Sequence, residues 1–133
     1  MSAGRFPRDA RLRRRGEFTT VFDRGTKRHG RLMTVVVTPV LGTTSRLGVA
    51  ASRKIGGAVE RNLAKRRLRE VFRTHPLPRP VDVVVIPRRE ANAAPFEVLS
   101  REFVALVDGA IRHARRPQAL PSPPRDPGPH RGL

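Results

Sequence analysis

The chain contains no cysteine, tryptophan or tyrosine, and only 11 of its 133 residues are acidic. Without cysteine it can form neither disulfides nor thiolate metal sites, which fits a reducing cytoplasm. No apolar run approaches the roughly 20 residues that span a bilayer. The basic N-terminus is not followed by an apolar segment, so no secretory signal is expected. These absences together predict a cytoplasmic protein that does not associate with a membrane.

The sequence also lacks the side-chain groupings that an enzyme acting alone needs. Its acidic residues are scattered singly, and no pattern of Ser/His/Asp or Cys/His type is present. Phosphodiester cleavage by a protein-held Mg²⁺ normally requires clustered carboxylates. His29 has no second ligand nearby in sequence, and Gly56-Gly57 is not followed by the Lys-Ser/Thr of a phosphate-binding loop. We therefore predict no catalytic side chain and no metal site in the protein.

Positive charge dominates what is present. The 28 Lys and Arg residues give a net charge of +17 and a sequence pI of about 12.0. An excess of this size says little about fold and much about partners, of which a nucleic acid is the first candidate and an anionic membrane the second. A membrane surface is disfavoured because no helix places large apolar anchors opposite its arginines. Arginine outnumbers lysine 25 to 3, which favours forked contacts to phosphate.

The most informative stretch is residues 52–73. Nothing breaks a helix from Ala58 onward, and Gly56-Gly57 marks its start. Four apolar residues, Ala64, Leu68, Val71 and Phe72, form a stripe that can be buried. Beside this stripe, six polar residues fall within an arc of roughly 140° on a helical wheel. They are Arg61, Asn62, Lys65, Arg66, Arg69 and Arg73.

The like charges on this arc need an explanation. Arg61, Lys65 and Arg69 repel one another at i,i+4 spacing, at a few tenths of a kcal/mol per pair. Only Glu60 and Glu70 offset them. A plain solvated face is one interpretation, but an external polyanion explains the uncompensated charge better. The amide of Asn62 suits a ligand with phosphates, sugar hydroxyls and base edges.

The remaining patterns predict a small α/β sandwich of one domain, with helices packed on a sheet. Its element order is helix, strand, strand, basic helix, strand, helix (αββαβα, class α+β), at residues 17–24, 32–38, 46–52, 58–73, 81–86 and 95–113. Residues 26–31 are predicted to be a polar loop. The unit from 46 to 86 is predicted to be a crossover within one sheet. Residues 1–10 are predicted to form a basic arm, and residues 114–133, with four Arg and one Asp, are predicted to form a Pro-rich disordered tail.

Two features near the N-terminus have open interpretations. Phe18, Val21 and Phe22 share a helical face, so the phenylalanines either pack in the core or form an apolar wall on which a base can rest. Arg11 and Arg13 belong to the run 11–15, which is either a solvated approach to the first helix or a phosphate contact.

At this point the residues resemble the protein subunit of bacterial ribonuclease P. Residues 52–70 read Ser-Arg-Lys-Ile-Gly-Gly-Ala-Val-Glu-Arg-Asn-Leu-Ala-Lys-Arg-Arg-Leu-Arg-Glu. The family's pattern is Ser-Lys-Lys-x-Gly-x-Ala-x-x-Arg-Asn-Arg-x-Lys-Arg-x-x-Arg. Two flanking blocks, 11–25 and 82–86, agree in register, and the match spans roughly residues 11 to 107. Leu63 stands where the family has the last Arg of its Arg-Asn-Arg triplet, and Val36 stands where the first strand commonly carries an aromatic.

The resemblance implies a left-handed strand–helix–strand crossover, against the right-handed norm. It implies a bacterial ribonucleoprotein endoribonuclease whose catalytic RNA cleaves precursor tRNA at the mature 5′ end. Mg²⁺ would be held mainly by RNA phosphates. The single-stranded 5′ leader would lie between the first helix and the sheet, lined by Phe18, Phe22 and Val36. RNA would be bound by Arg11, Arg13, Arg53, Lys54, Arg61, Asn62, Lys65, Arg66, Arg69 and Arg73.

Two other functions compete with this one. A basic RNA-binding protein of ribosomal or chaperone type would share the charge without preferring precursor over mature tRNA. A self-sufficient nuclease would cleave without an RNA partner. No protein partner is expected for the ribonuclease P subunit.

Overall fold

The structure is a computed structural model that describes residues 10–114. Its helices are α1 (Arg15–Arg24), α2 (Ala58–Thr74) and α3 (Phe96–His113), with a 3₁₀ helix at Arg89–Asn92. Its strands are β1 (Thr26–His29), β2 (Met33–Pro39), β3 (Arg46–Val49) and β4 (Val81–Pro87). The predicted arm and tail lie outside the described residues apart from Ala10 and Ala114, and that division of the chain stays a prediction.

The four strands form one mixed sheet in the order β1-β2-β4-β3. β2 runs antiparallel to both β1 and β4, while β3 runs parallel to β4. The chain therefore passes from β3 through α2 to the adjacent parallel strand β4, which confirms the predicted crossover within one sheet. The hand of that crossover stays a prediction.

The prediction of a polar loop at residues 26–31 is wrong for β1, so the described order is αβββαβα. β1 lies at the edge of the sheet, where Thr26 and Arg28 are half-buried and Lys27 and His29 are exposed. A strand covered so little needs no apolar periodicity, and the sequence Thr-Lys-Arg-His shows none. Its strand conformation comes from backbone pairing with β2, which local sequence does not reveal.

Both faces of the sheet are covered, and the nearly continuous valine run of β4 is typical of a strand in that position. On one face, α2 and α3 bury Leu68, Val71, Leu99 and Phe103. These side chains pack on the alternate valines 35, 37, 83 and 85. On the other face, α1 and the segment before it bury Val21 and Leu12 against Val36 and Val84. The domain is thus a sandwich in three layers.

α1 sits close to the sheet because β3 carries a glycine beneath it. A Cβ atom at Gly48 would lie 2.6 Å from the ring of Phe18, closer than side chains approach one another. The absence of a side chain at Gly48 therefore makes room for the packed helix. Phe18 is half-buried and packs with the core cluster beneath α1.

An ion-pair network fixes the first turn of α1. Arg46 donates to Glu17 at 3.0 Å and makes two hydrogen bonds to Asp82, at 3.0 and 2.8 Å. The other carboxylate oxygen of Glu17 accepts the backbone N–H groups of Arg13 and Arg14. Burial alone would raise the pKa of Glu17, but these N–H groups and the Arg46 guanidinium outweigh it and lower that pKa.

Candidate nucleic-acid interface

A shallow cavity of about 460 Å³ runs along one side of α2. Five cations and one carboxylate line it, together with one amide. We call it the cationic cavity, and its residues are Arg11, Asn62, Lys65, Arg66, Arg69, Glu70 and Arg73. The helical wheel predicted that the five α2 residues Asn62, Lys65, Arg66, Arg69 and Arg73 share one face, and the structure brings them together. Leu63 is half-buried and does not line the cavity.

Arg11 reaches the cationic cavity from a distant part of the chain. The segment before α1 runs beside β3, where Arg11 forms a parallel bridge with Leu47 and the Leu12 N–H donates to the Leu47 carbonyl at 2.9 Å. The buried Leu12 side chain anchors this segment. Sequence reasoning left the role of Arg11 open because the placement depends on pairing with a strand 36 residues away.

The cavity holds like charges close together. The pKa of Arg69 is lowered, first by burial and then by the positive charge of Arg11. Both causes mean that the charged guanidinium is less stable here than in water. Glu70 compensates locally through its hydrogen bonds to Arg73. A bound phosphate would offset the remaining repulsion between Arg11 and Arg69, because it supplies negative charge where the chain supplies little.

The structure separates Arg61 from the rest of the predicted arc. Its Nη1 donates to the Gly56 carbonyl at 3.1 Å, so the side chain bridges the loop before α2 to the first turn of that helix. It does not line the cationic cavity. Gly56 has φ +143°, a conformation that favours glycine, which lets the chain turn sharply into the helix.

The other predicted cations are exposed. Arg53 and Lys54 lie in the turn between β3 and α2, where the Lys54 N–H donates to the Ser52 hydroxyl. Buried Ile55 anchors that turn to the domain. Arg13 is exposed immediately before α1. These residues are accessible to a ligand but lie outside the cavity lining.

Of the three residues predicted to line a leader cleft, Val36 needs correction. It is 0% exposed, so its side chain offers no surface to a ligand. β2 is an interior strand, and the end of α1 closes over it so tightly that a Cβ at Gly25 would lie 2.6 Å from Val36 Cγ1. Phe18 is half-buried over Gly48, whereas Phe22 is 36% exposed. Phe22 is thus the predicted cleft residue with the most accessible surface.

Beside α1, the next row of side chains on the same face of the sheet is exposed or half-buried except at Thr34, which is only 7% exposed. The register places His29 beside Thr34 and Thr34 beside Ile86. Ala50 continues the row, since its N–H donates to the Val85 carbonyl. We call His29, Thr34, Ile86 and Ala50 the sheet-end row. The alternation of Thr34 with Val36 and of Val84 with Ile86 was the sequence signal that could have identified it.

The described residues fit neither a protein metal site nor a membrane span. Within residues 10–114, no three His, Asp or Glu side chains come close enough together to hold a metal ion. Over the same residues, no helix is both long and apolar enough to span a bilayer.

Comparisons with known proteins agree on one family. The sequence profile described as Ribonuclease P matches residues 6–110. The chain is 38% identical over 120 residues to the ribonuclease P protein component of Desulfovibrio desulfuricans, covering 86% of this chain and 92% of that protein. It is 36% identical over 106 residues to the corresponding protein of Citrifermentans bemidjiense, covering 79% and 91%.

Solved structures show the same relationship. The RNase P protein from Thermotoga maritima superposes with a TM-score of 0.67 at 31% identity, covering 74% of this chain and 96% of that chain. The Staphylococcus aureus RNase P protein gives 0.65 at 27% identity, covering 76% and 96%. The chain therefore belongs to the ribonuclease P protein family, whose members are the protein component of the enzyme that processes the 5′ leader of tRNA.

Proposed function

We propose that this chain, as the protein subunit of a bacterial ribonuclease P, uses two surfaces for two RNAs. The cationic cavity binds the catalytic RNA, and the surface between α1 and the sheet holds the 5′ leader of precursor tRNA. The observation that carries the proposal is the crowding of Arg11 and Arg69 in one cavity lined by five cations. Contacts to phosphate explain why the fold tolerates that repulsion.

The second surface has the chemistry that a single strand requires. Phe22 offers a partly exposed ring on which a base can stack, and Ile86 and Ala50 form an apolar floor. Arg53 and Lys54, at the end of β3, supply charge for the leader phosphates. Val36 supports this surface from beneath.

The protein's role in the reaction is electrostatic and positional. Catalytic RNA and substrate are both polyanions, and a protein of charge +17 between them screens their repulsion. The Mg²⁺ that the reaction uses would be held mainly by RNA phosphates, because residues 10–114 gather no set of ligands for it. Protein binding would therefore lower the Mg²⁺ concentration that cleavage needs. The holoenzyme would work in the bacterial cytoplasm, without a protein partner.

Cleavage of a 5′-extended precursor tRNA at low Mg²⁺ tests this proposal. Three reactions are compared: purified protein, bacterial ribonuclease P RNA, and both together. We expect cleavage at the mature 5′ end only, or far faster, when both are present. Cleavage by the protein alone would indicate a self-sufficient nuclease. A folded, RNA-binding protein that gives no stimulation and binds precursor and mature tRNA equally would be a basic RNA-binding protein of another kind.

A further inference from the structure

Cations follow the strands at one end of the sheet. The pairing places the ends of β1, β3 and β4 and the start of β2 on the same side. Exposed cations come next to these points: Arg31 in the turn between β1 and β2, Arg88 after β4, and Arg53 and Lys54 after β3. Strands lie about 4.8 Å apart, so this end of the four-stranded sheet is about 14 Å wide. It provides an extended track long enough for several nucleotides.

The β1–β2 turn at the far end of this track is held from two sides. The Glu102 carboxylate on α3 accepts the backbone N–H groups of Leu32 and Met33, at 2.7 and 3.2 Å. Arg88 Nε donates to the Gly30 carbonyl at 3.1 Å. The exposed Arg31 is therefore presented from a fixed turn, and little backbone freedom remains to be lost when it binds a ligand.

His29 presents a polar group on the leader-facing side of the same hairpin. Its Nδ1 lies 3.1 Å from the Thr34 hydroxyl, and Thr34 is only 7% exposed. The hydroxyl can accept from or donate to Nδ1, so the contact persists whichever ring nitrogen carries the proton. Within residues 10–114, the structure gives Nε2 of His29 no hydrogen-bond partner. That nitrogen is available to a base edge or a phosphate.

Lys27 adds a second full charge to this side. It pairs with Val36 in the register, so it shares the face of the sheet that α1 covers. Arg28 lies between these residues and belongs to the other face, where its guanidinium packs against Gly109 of α3. The alternation of β1 thus places Lys27 and His29 toward the leader side and keeps Arg28 for packing. Two carboxylates on the neighbouring helices have to be considered beside these cations. Glu102 on α3 already accepts backbone N–H groups of the β1–β2 turn, and Asp23 on α1 is exposed to solvent.

We propose that the β1–β2 hairpin, through Lys27, His29 and Arg31, binds the leader nucleotides that lie farthest from the cleavage site. The direction follows from the fold: the cationic cavity that takes the catalytic RNA lies on the β3 side, next to the segment that pairs with Leu47. The leader begins there, crosses the sheet-end row, and reaches β1 last. This inference rests on the proposed function and extends the leader site to an edge strand.

The test compares precursor tRNAs with leaders of about four and about ten nucleotides. Single-strand binding sites on proteins cover about 4–16 nucleotides, so these lengths represent the lower end and the middle of that range. Both are measured with the reconstituted holoenzyme, together with mature tRNA. The variant is Lys27→Ala with Arg31→Ala. The matched control is Arg101→Ala with Arg112→Ala, which removes two exposed charges from α3 on the opposite side of the sheet. His29→Ala is measured separately.

We expect the hairpin variant to bind the long-leader precursor about fivefold to tenfold more weakly, and the short-leader precursor as the wild type does. The dependence of log affinity on log salt should fall by about 1.4 for the long leader, since each single-strand phosphate contact contributes about 0.7. His29→Ala should give a smaller loss, again only for the long leader. The α3 control should bind both precursors as the wild type does.

Two results would overturn the inference. Equal losses for both leaders would place Lys27 and Arg31 against another part of the RNA, and no loss would remove the hairpin from the interface. Failure of the proposed function looks different. In that case the wild-type complex itself would bind long-leader, short-leader and mature tRNA alike.

Discussion

Two groups of arginines on this domain differ in what they contact. Arg46 and Arg67 are committed to the chain itself: Arg46 joins two carboxylates, and Arg67 donates to the carbonyls of Ala91 and Ala94 at 2.7 and 2.6 Å. Within the cationic cavity, Arg73 pairs with Glu70, whereas Arg66 and Arg69 lie beside other cations and make no such contact within residues 10–114. Contact partners, rather than charge, therefore separate a structural arginine from one available to RNA. Substitutions in the first group should therefore lower stability, and those in the second should lower RNA affinity.

The largest effect is expected for Arg46→Met, which keeps the length of the side chain and removes its charge. Asp82 and Glu17 would then lose their shared cation, with the side chain of Asp82 only 10% exposed. Fully buried pairs lose roughly 3–5 kcal/mol when one partner is removed. We expect about 2 kcal/mol here, because the side chain of Arg46 is 34% exposed. Denaturant unfolding measures the loss, and an unchanged midpoint would contradict it.

The same network makes stability depend on pH. The pKa of Glu17 is lowered in the folded state, so its contribution is present above the ordinary carboxyl value of 4.5 and is lost as pH falls through the folded pKa. Wild-type stability should therefore decline in acid below about pH 4.5. In Arg46→Met the decline attributable to Glu17 should be shallower, because one cause of the lowered pKa is gone. Parallel curves for the two proteins would show that Arg46 has no part in it.

In the cationic cavity, Lys65→Ala combined with Arg66→Ala should have the opposite effect to Arg46→Met: RNA affinity should fall while stability stays nearly unchanged. Both residues line the cationic cavity, and neither makes a hydrogen bond or ion pair within residues 10–114. We expect a change in unfolding free energy within about 0.5 kcal/mol. Affinity for the catalytic RNA should fall about tenfold at low salt, with a smaller salt slope. The control is again Arg101→Ala with Arg112→Ala, and a slope equal to the wild-type value would exclude the cavity from the interface.

Phe22→Ala tests the surface between α1 and the sheet, where we propose that the leader binds. Base stacking contributes about 1–3 kcal/mol per base, and a ring that is 36% exposed should give about 1 kcal/mol. Precursor binding should weaken about fivefold while mature tRNA binding stays unchanged. Phe96→Ala is the matched control, because that ring is 38% exposed on α3. Equal losses for precursor and mature tRNA would make Phe22 a packing residue only.

Sequence reasoning succeeded where one element determines its own environment. The period of α2 placed Lys65, Arg66 and Arg69 on one face, because a helix fixes the direction of its side chains. The nearly continuous apolar run of β4 likewise indicates a strand covered on both faces, because its successive side chains point to opposite faces of the sheet. Reasoning failed where the outcome depends on contacts between distant segments. β1 is a strand because β2 pairs with it, and Val36 is buried because α1 closes over it.

Arg61 and Arg11 illustrate the same limit within the candidate site. A helical wheel places Arg61 on the same face as Lys65. In the structure, however, the Arg61 guanidinium donates a hydrogen bond to a carbonyl of the loop before α2. Arg11 has no periodic signal at all, and only its pairing beside β3 carries it to the cavity. The charge pattern therefore identified the correct surface, while membership in that surface depended on the fold.

The smallest stability effect is expected for Arg69→Gln, and its sign is the informative part. Arg69 is disfavoured as a cation by burial and by Arg11, so a neutral side chain of similar length should slightly stabilise the free protein. The same change should weaken RNA binding, because one phosphate contact is lost. Higher stability together with weaker RNA binding would mean that the free protein retains a destabilising repulsion at Arg69 and that this charge is useful only when RNA is bound. A loss of stability together with normal RNA affinity would instead return Arg69 to the structural group, alongside Arg46 and Arg67.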